Sequence, residues 1–110
     1  MTTYLLNALP NSLLVPEAGQ STVIEGITVE QAYDLLSNGF TSAVGHDSTA
    51  ELLTRKIGLT VEKNRITVTP QKGDVLVVGA FVSPRRLAEG ELYTEAEILT
   101  LEVKFCKITL

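Results

Sequence analysis

The stretch Val75-Leu76-Val77-Val78-Gly79-Ala80-Phe81-Val82 is a nearly unbroken apolar run. A strand with one wet face alternates apolar and polar side chains; a run without alternation fits a strand buried on both faces of a covered sheet. The run therefore predicts a central strand, and the rest of the chain must supply its neighbours and its cover. Gly79 removes a side chain from the run, which suggests a bulge or a close neighbour, with simple packing the plainer reading. One hundred and ten residues, 45% of them hydrophobic, fit a single domain spanning 1–110 around one core.

Other segments supply the neighbours. Tyr4-Leu5-Leu6 reads as a short strand stopped by Asn7 and the turn residues Pro10-Asn11, and Ser21 to Ile27 as a second strand. Thr28 with Gln31 forms a capping box, and Val29, Ala32, Tyr33 and Leu36 have the i, i+3, i+4, i+7 spacing of one buried helical face, ended by Asn38-Gly39. Phe40 to Val44 reads as a third strand. Arg65 to Thr69 alternates apolar and polar residues, and Gln71 to Asp74 carries turn residues. Ser83 to Tyr93 breaks the pattern with a proline, a glycine and several charges, and reads as an exposed loop leaving the central strand. Thr94 and Glu97 form a further capping box for a short helix over Glu95 to Leu101, and Val103 to Leu110 ends as a strand with Phe105 and Cys106 on opposite faces. Alternating helical and strand patterns predict an α/β domain, a single mixed sheet of about five strands with flanking helices.

The only histidine stands beside a helix start, in Gly45-His46-Asp47-Ser48-Thr49-Ala50-Glu51. Ser48 and Glu51 read as a capping box, so the helix is expected from near Thr49, burying Ala50, Leu53 and Ile57 before Gly58 stops it. The unpaired N–H groups and positive dipole end of such a helix make an anion site, with His46 two residues ahead of the cap and Gly45 giving backbone freedom. Histidine titrates near neutral pH and can give or take a proton there. The competing reading is that His46 merely ends a strand and bonds locally.

The net charge of −4 argues against a broad surface for long nucleic acid, which needs many lysines and arginines to neutralise phosphates. A small anionic ligand in a local pocket is compatible with it, since Arg85-Arg86 and Lys63-Asn64-Arg65 concentrate positive charge. One cysteine, Cys106, forms no internal disulfide and with one histidine falls short of a zinc site built from those ligands. No apolar run approaches the roughly 18 residues of a spanning helix and the start lacks a basic secretory leader, so a soluble protein in a reducing, intracellular setting is expected.

Leu6-Asn7-Ala8, Gly45-His46-Asp47-Ser48-Thr49, Asn64-Arg65, Gly73-Asp74 and Arg86-Leu87-Ala88-Glu89-Gly90, in this order, resemble the type III CRISPR ring-nuclease family, which includes viral anti-CRISPR proteins and cellular versions. The resemblance covers most of the chain. It implies a cytoplasmic homodimer, in the host cell if viral, that binds cyclic tetra-adenylate across its two-fold axis. The implied reaction needs no metal or other cofactor and cuts the ring into linear di-adenylates ending in a 2′,3′-cyclic phosphate.

Carried over position by position, the resemblance makes His46 the proton donor and assigns the loop's two active-site groups to Arg86 and Glu89. Arg86 suits transition-state charge, and Glu89 a positioning role, because a carboxylate repels phosphate. Arg85 is either a spare phosphate contact or solvated. Asn7, Ala8, Gly45, Ser48 and Thr49 are the further expected ligand contacts. The first motif departs from the family, which continues Asn-Ala with Phe-Ser where this chain has Leu9-Pro10; Asn11 or Ser12 can replace the serine, and proline cannot. Asn64-Arg65 reads as an adenine contact or, in preference, as a pin for a strand end.

Two other classes fit the same residues. One is a module that sequesters a cyclic oligonucleotide without cutting it. The other is a structural or regulatory dimer with no nucleotide ligand, in which the arginine pair is an ordinary solvated loop. A metal nuclease is disfavoured because Asp47, Glu51 and Glu89 make no compact carboxylate cluster in sequence.

Overall fold

The apolar run does lie at the centre of a sheet, but the strand ends at Ala80, and Val82 stands exposed beyond it. The computed structural model describes residues 2–8, 18–19 and 21–110. Along them run β1 (Thr3–Leu6), β2 (Val23–Ile27), helix α1 (Val29–Leu36), β3 (Thr41–Ser42), helix α2 (Asp47–Ile57), β4 (Val75–Ala80), helix α3 (Glu95–Thr100) and β5 (Lys104–Thr109). The strands form one five-stranded sheet in the order β2-β5-β4-β1-β3. β4 pairs parallel with β1, and β1 parallel with β3, while β5 runs antiparallel to both β4 and β2. The expected mixed α/β sheet is therefore what forms.

The sheet is covered on both faces at its centre, while the edge strand β2 is mostly exposed. Leu5, Val77 and Phe105 point to the face packed by Ala32 and Leu36 of α1 and by Ala50, Leu53 and Ile57 of α2. Their neighbours Leu6, Leu76, Val78 and Ile108 point to the other face, joined by Tyr4, Val68 and Cys106. The alternation of Phe105 and Cys106 across the sheet is as expected for strand geometry. Gly79 is a place of close approach: a Cβ there would lie 2.9 Å from Leu53 Cδ2 and 3.0 Å from Phe105 Cε1. Its absence lets α2 settle on the sheet, the packing reading of this glycine.

Helix α1 has its capping box, with Thr28 Oγ1 accepting from Gln31 N at 3.1 Å and Gln31 Oε1 accepting from Thr28 N at 2.9 Å. Its buried stripe runs through Val29, Ala32, Leu35 and Leu36, which leaves Tyr33 on the solvent side at 42% exposure rather than in the core. The strand expected over Phe40 to Val44 is reduced to Thr41–Ser42. At its end Asn64 Nδ2 donates to Ser42 O at 2.7 Å and Ser42 Oγ donates to Glu62 O at 2.6 Å, and beyond it Ala43 N donates to Leu5 O at 2.9 Å and Asn64 N to Val44 O at 2.7 Å. Asn64 thus pins a strand end. In the alternating segment 65–69, Val68 packs on the sheet while Ile66 is exposed, and no ladder forms.

Helix α2 starts earlier than expected. Its N-cap is His46, which makes no side-chain cap bond, and Ser48 is inside the first turn. Glu51 reaches Arg55 one turn on, at 3.7 Å, and not the cap. The longer helix buries Thr49 and Ala50 and gives Ala50 N its bond to His46 O at 3.0 Å, which outweighs the local box. It ends as expected at Gly58, left-handed at φ 90°. Helix α3 has the expected box at Thr94 and Glu97.

Candidate functional site

Because β1, β3 and β4 are parallel, the chain leaves all three at the same edge of the sheet. Ligand crevices in open α/β sheets lie outside the carboxyl ends of such strands. Asn7 follows β1, His46 follows β3, and the loop 83–93 follows β4 by two residues. Together they line a cleft of about 630 Å³, floored by the first turn of α2 and walled by the loop.

The cleft collects most of the residues expected from sequence. His46, Ser48 and Thr49 line it with Asn7, Arg85, Arg86 and Glu89. His46 is exposed and Thr49 buried. Ala8 is exposed in the turn after β1, outside the cleft lining, and Asn11 and Ser12 lie outside the described residues. Gly45 is also outside the lining and does not have a positive φ. The backbone freedom expected of it is therefore not used. Its lack of a side chain instead admits Arg65, whose Nε and Nη2 donate to the Gly45 carbonyl at 3.3 and 3.2 Å.

That same Nη2 lies 3.5 Å from His46 Nδ1. Arg65 thus lines the cleft, the less favoured of its two readings from sequence, and Lys63, Phe81, Ser83 and Tyr93, for which no ligand contact is expected from sequence, line it as well. Lys63 pairs with Asp47 at 3.5 Å, while Phe81 and Tyr93 meet edge to face with ring centres 6.0 Å apart. The cationic Lys63-Asn64-Arg65 run was a signal for the first two residues. Nothing local marks Phe81 or Tyr93 as other than core.

The first turn of α2 differs from those of α1 and α3. Both of the latter close their ends with reciprocal side-chain bonds, whereas α2 has none. Among the described residues, no side chain accepts from the backbone N–H groups of Asp47, Ser48 or Thr49. These three residues line the same cleft as the histidine and arginines, and a helix start left without a side-chain cap favours an anion.

The two loop arginines have different surroundings. Arg85 is held by Glu97 and Glu91, which push its pKa up. Its hydrogen bonds, with that of the Thr94 amide, bring the Glu97 carboxyl down to about 2. Arg86 and Glu89 enter no ion pair among the described residues. No group of three or more histidine, cysteine, aspartate and glutamate side chains among the described residues is arranged to hold a metal ion. No helix among them is long and apolar enough to cross a membrane.

A small α/β domain with an anion-favouring cleft at the carboxyl edge of its parallel strands is the class that fold and site define. The sequence model of the STIV B116-like family matches residues 3–105, and the chain belongs to that family. It is 35% identical over 99 residues to an uncharacterised protein, protein 26, of Sulfolobus islandicus filamentous virus, covering 87% of this chain and 80% of that protein. It is 33% identical over 100 residues to an uncharacterised protein of Acidianus filamentous virus 1, covering 89% and 83%. Among solved structures, B116 of Sulfolobus turreted icosahedral virus superposes with a TM-score of 0.74 at 24% identity over the whole of both chains.

Proposed function

We propose that the protein is a metal-independent ring nuclease that cuts cyclic tetra-adenylate into linear di-adenylates with 2′,3′-cyclic phosphate ends. The observation that carries the reading is the meeting of His46, Arg86 and Glu89 around the uncapped first turn of α2 in one cleft. The resemblance of these motifs to ring nucleases supplies the substrate. The viral sources of the relatives favour a protein that erases a host antiviral signal and so switches off type III CRISPR signalling.

In this reaction the ribose 2′-oxygen bonds to the adjacent phosphorus, its proton passes to water, and the bond from phosphorus to the 5′-oxygen breaks. The departing oxygen takes a proton from the His46 imidazolium, a contribution of about 10²–10⁴ in rate. Arg86 and the first-turn N–H groups of α2 hold the phosphate oxygens and offset charge that grows in the transition state. Arg65 adds positive charge beside the histidine, and Glu89 orients its partners. A C2 dimer would present two such clefts to a two-fold symmetric ring, which accounts for cleavage at two opposite phosphodiesters.

The test is incubation of purified protein with cyclic tetra-adenylate in chelator, beside His46→Ala, with products resolved by chromatography and mass. Di-adenylate 2′,3′-cyclic phosphate from the wild type alone is the expected result. An intact ring bound by both proteins would make the protein a sequestering module, and no binding would remove the nucleotide reading.

A further inference from the structure

Arg85 and Arg86 are adjacent in sequence, yet among the described residues only Arg85 is committed to other side chains. Arg85 Nε and Nη2 donate to the two carboxylate oxygens of Glu97 at 2.8 and 3.0 Å, and its Nη1 donates to Glu91 Oε2 at 2.7 Å. Each carboxylate also holds backbone. Glu97 Oε1 accepts from Thr94 N at 2.9 Å, closing the cap of α3, and Glu91 Oε1 accepts from Ala88 N at 2.9 Å. Glu91 N in turn donates to Ala88 O at 3.0 Å. Residues 85–91 thus form a closed loop fastened to the first turn of α3, with Arg86 and Glu89 inside it.

Two further ties fix the loop's base. Ser83 Oγ donates to Arg85 O at 2.6 Å and accepts from Tyr93 Oη at 2.8 Å. Leu87, between the two candidate catalytic groups, packs on Leu52, Tyr93 and Ile98. Electrostatics separate the arginines as well. Arg85 with two carboxylates makes a group of net negative charge, which does not attract phosphate, whereas Arg86 has no ion-pair partner among the described residues.

We propose that Arg85 is a positioning residue, a clasp that fastens the 83–93 loop to α3 so that Arg86 and Glu89 are held in the cleft. The roles of Arg86 and Glu89 rest on the ring-nuclease reading; the clasp does not. Forked, charge-assisted bonds of this kind fix orientation in a way that a single ammonium does not reproduce.

The test compares Arg85→Gln, Arg85→Lys, Glu97→Gln and the double variant R85Q/E97Q with Arg86→Gln. Glutamine at 97 keeps the capping box, which accepts glutamate or glutamine, and so spares α3. The first readout is amide hydrogen exchange. The clasp predicts that Ala88 and Glu91 amides exchange about tenfold faster or more in Arg85→Gln and Glu97→Gln, with β4 and α2 unchanged and the double variant no worse than either single, as for partners in one interaction. Arg86→Gln leaves these amides protected.

The second readout is cleavage of cyclic tetra-adenylate. Misplacing catalytic groups by about 1 Å can cost on the order of 10²-fold, so Arg85→Gln and Glu97→Gln lower kcat by tens of fold with KM little moved, and Arg85→Lys falls between. Unchanged exchange in Arg85→Gln would overturn the clasp. So would a raised KM in Arg85→Gln alongside a fully active Glu97→Gln, the signature of a direct phosphate contact. A wild type that cuts no ring would end the nuclease reading while the exchange data still decide the clasp.

Discussion

The guanidinium of Arg65 rests on the backbone of Gly45, and a Cβ at residue 45 would lie 3.4 Å from Arg65 Nε and 3.6 Å from its Cγ. A methyl from Gly45→Ala would touch the Arg65 side chain at the tight edge of van der Waals contact and crowd its bonds to the Gly45 carbonyl. Residue 45 does not have a positive φ, so alanine brings no left-handed strain. Stability should change by less than about 1 kcal/mol. Affinity for cyclic tetra-adenylate should fall several-fold, and about tenfold or more in Arg65→Ala, a loss of roughly 1.4 kcal/mol. Calorimetric titration in a His46→Ala background, where the ring stays uncut, measures both. Unchanged affinity in Arg65→Ala would remove this residue from the site.

His46 caps α2 through its backbone alone, because its side chain makes no cap bond. His46→Ala should therefore leave the thermal unfolding curve nearly unchanged while single-turnover cleavage drops by about 10²–10⁴. Ring binding should persist, since the first-turn N–H groups and Arg86 remain. A variant that cleaves at the wild-type rate would assign the proton to another donor.

What could be read from sequence was what is decided locally. The apolar run announced the central strand, and the boxes at Thr28 and Thr94 each need only residues three apart. Ser48 and Glu51 met the same local pattern and misled, because the start of α2 is set by burying Thr49 and Ala50. The end of β3 is held by Asn64 meeting Ser42, 22 residues away in sequence. The division of labour between Arg85 and Arg86 depends on Glu97, 12 residues beyond Arg85 and in another element. Such long-range partners leave no periodic trace in the chain.

Gly79 tests the packing of α2 on the sheet. Gly79→Ala would put a methyl 2.9 Å from Leu53 Cδ2 and 3.0 Å from Phe105 Cε1, in a core where Leu53 is fully buried. Overpacking of this kind costs about 1–3 kcal/mol, against which the reduced freedom of the unfolded chain returns about 0.4–1 kcal/mol. The net expectation is destabilisation by about 1–2 kcal/mol, with each kcal/mol lowering Tm by roughly 4–8 °C. A calorimetric scan showing no loss would mean that Leu53 and Phe105 can part without cost.

The Arg85 clasp also carries a pH signature. Hydrogen bonds from Arg85 and, after it, from the Thr94 amide bring the Glu97 carboxyl from an ordinary value of 4.5 to about 2. Glu91 is lowered by the Ala88 amide and by Arg85, and Asp74 by the amides of Gln71 and Thr2. For a carboxyl depressed on folding, the stabilisation is fully present above the unfolded value and is lost as pH falls through the folded one. Glu97 therefore contributes its full share at pH 6 and loses it progressively between about pH 4.5 and 2. Urea midpoints of wild type and Glu97→Gln should differ most at neutral pH and converge toward pH 2, the wild type falling and the variant falling less. Parallel curves across that window would mean that Glu97 titrates alike in the folded and unfolded chain, so that its charge gains nothing from Arg85 and the Thr94 amide.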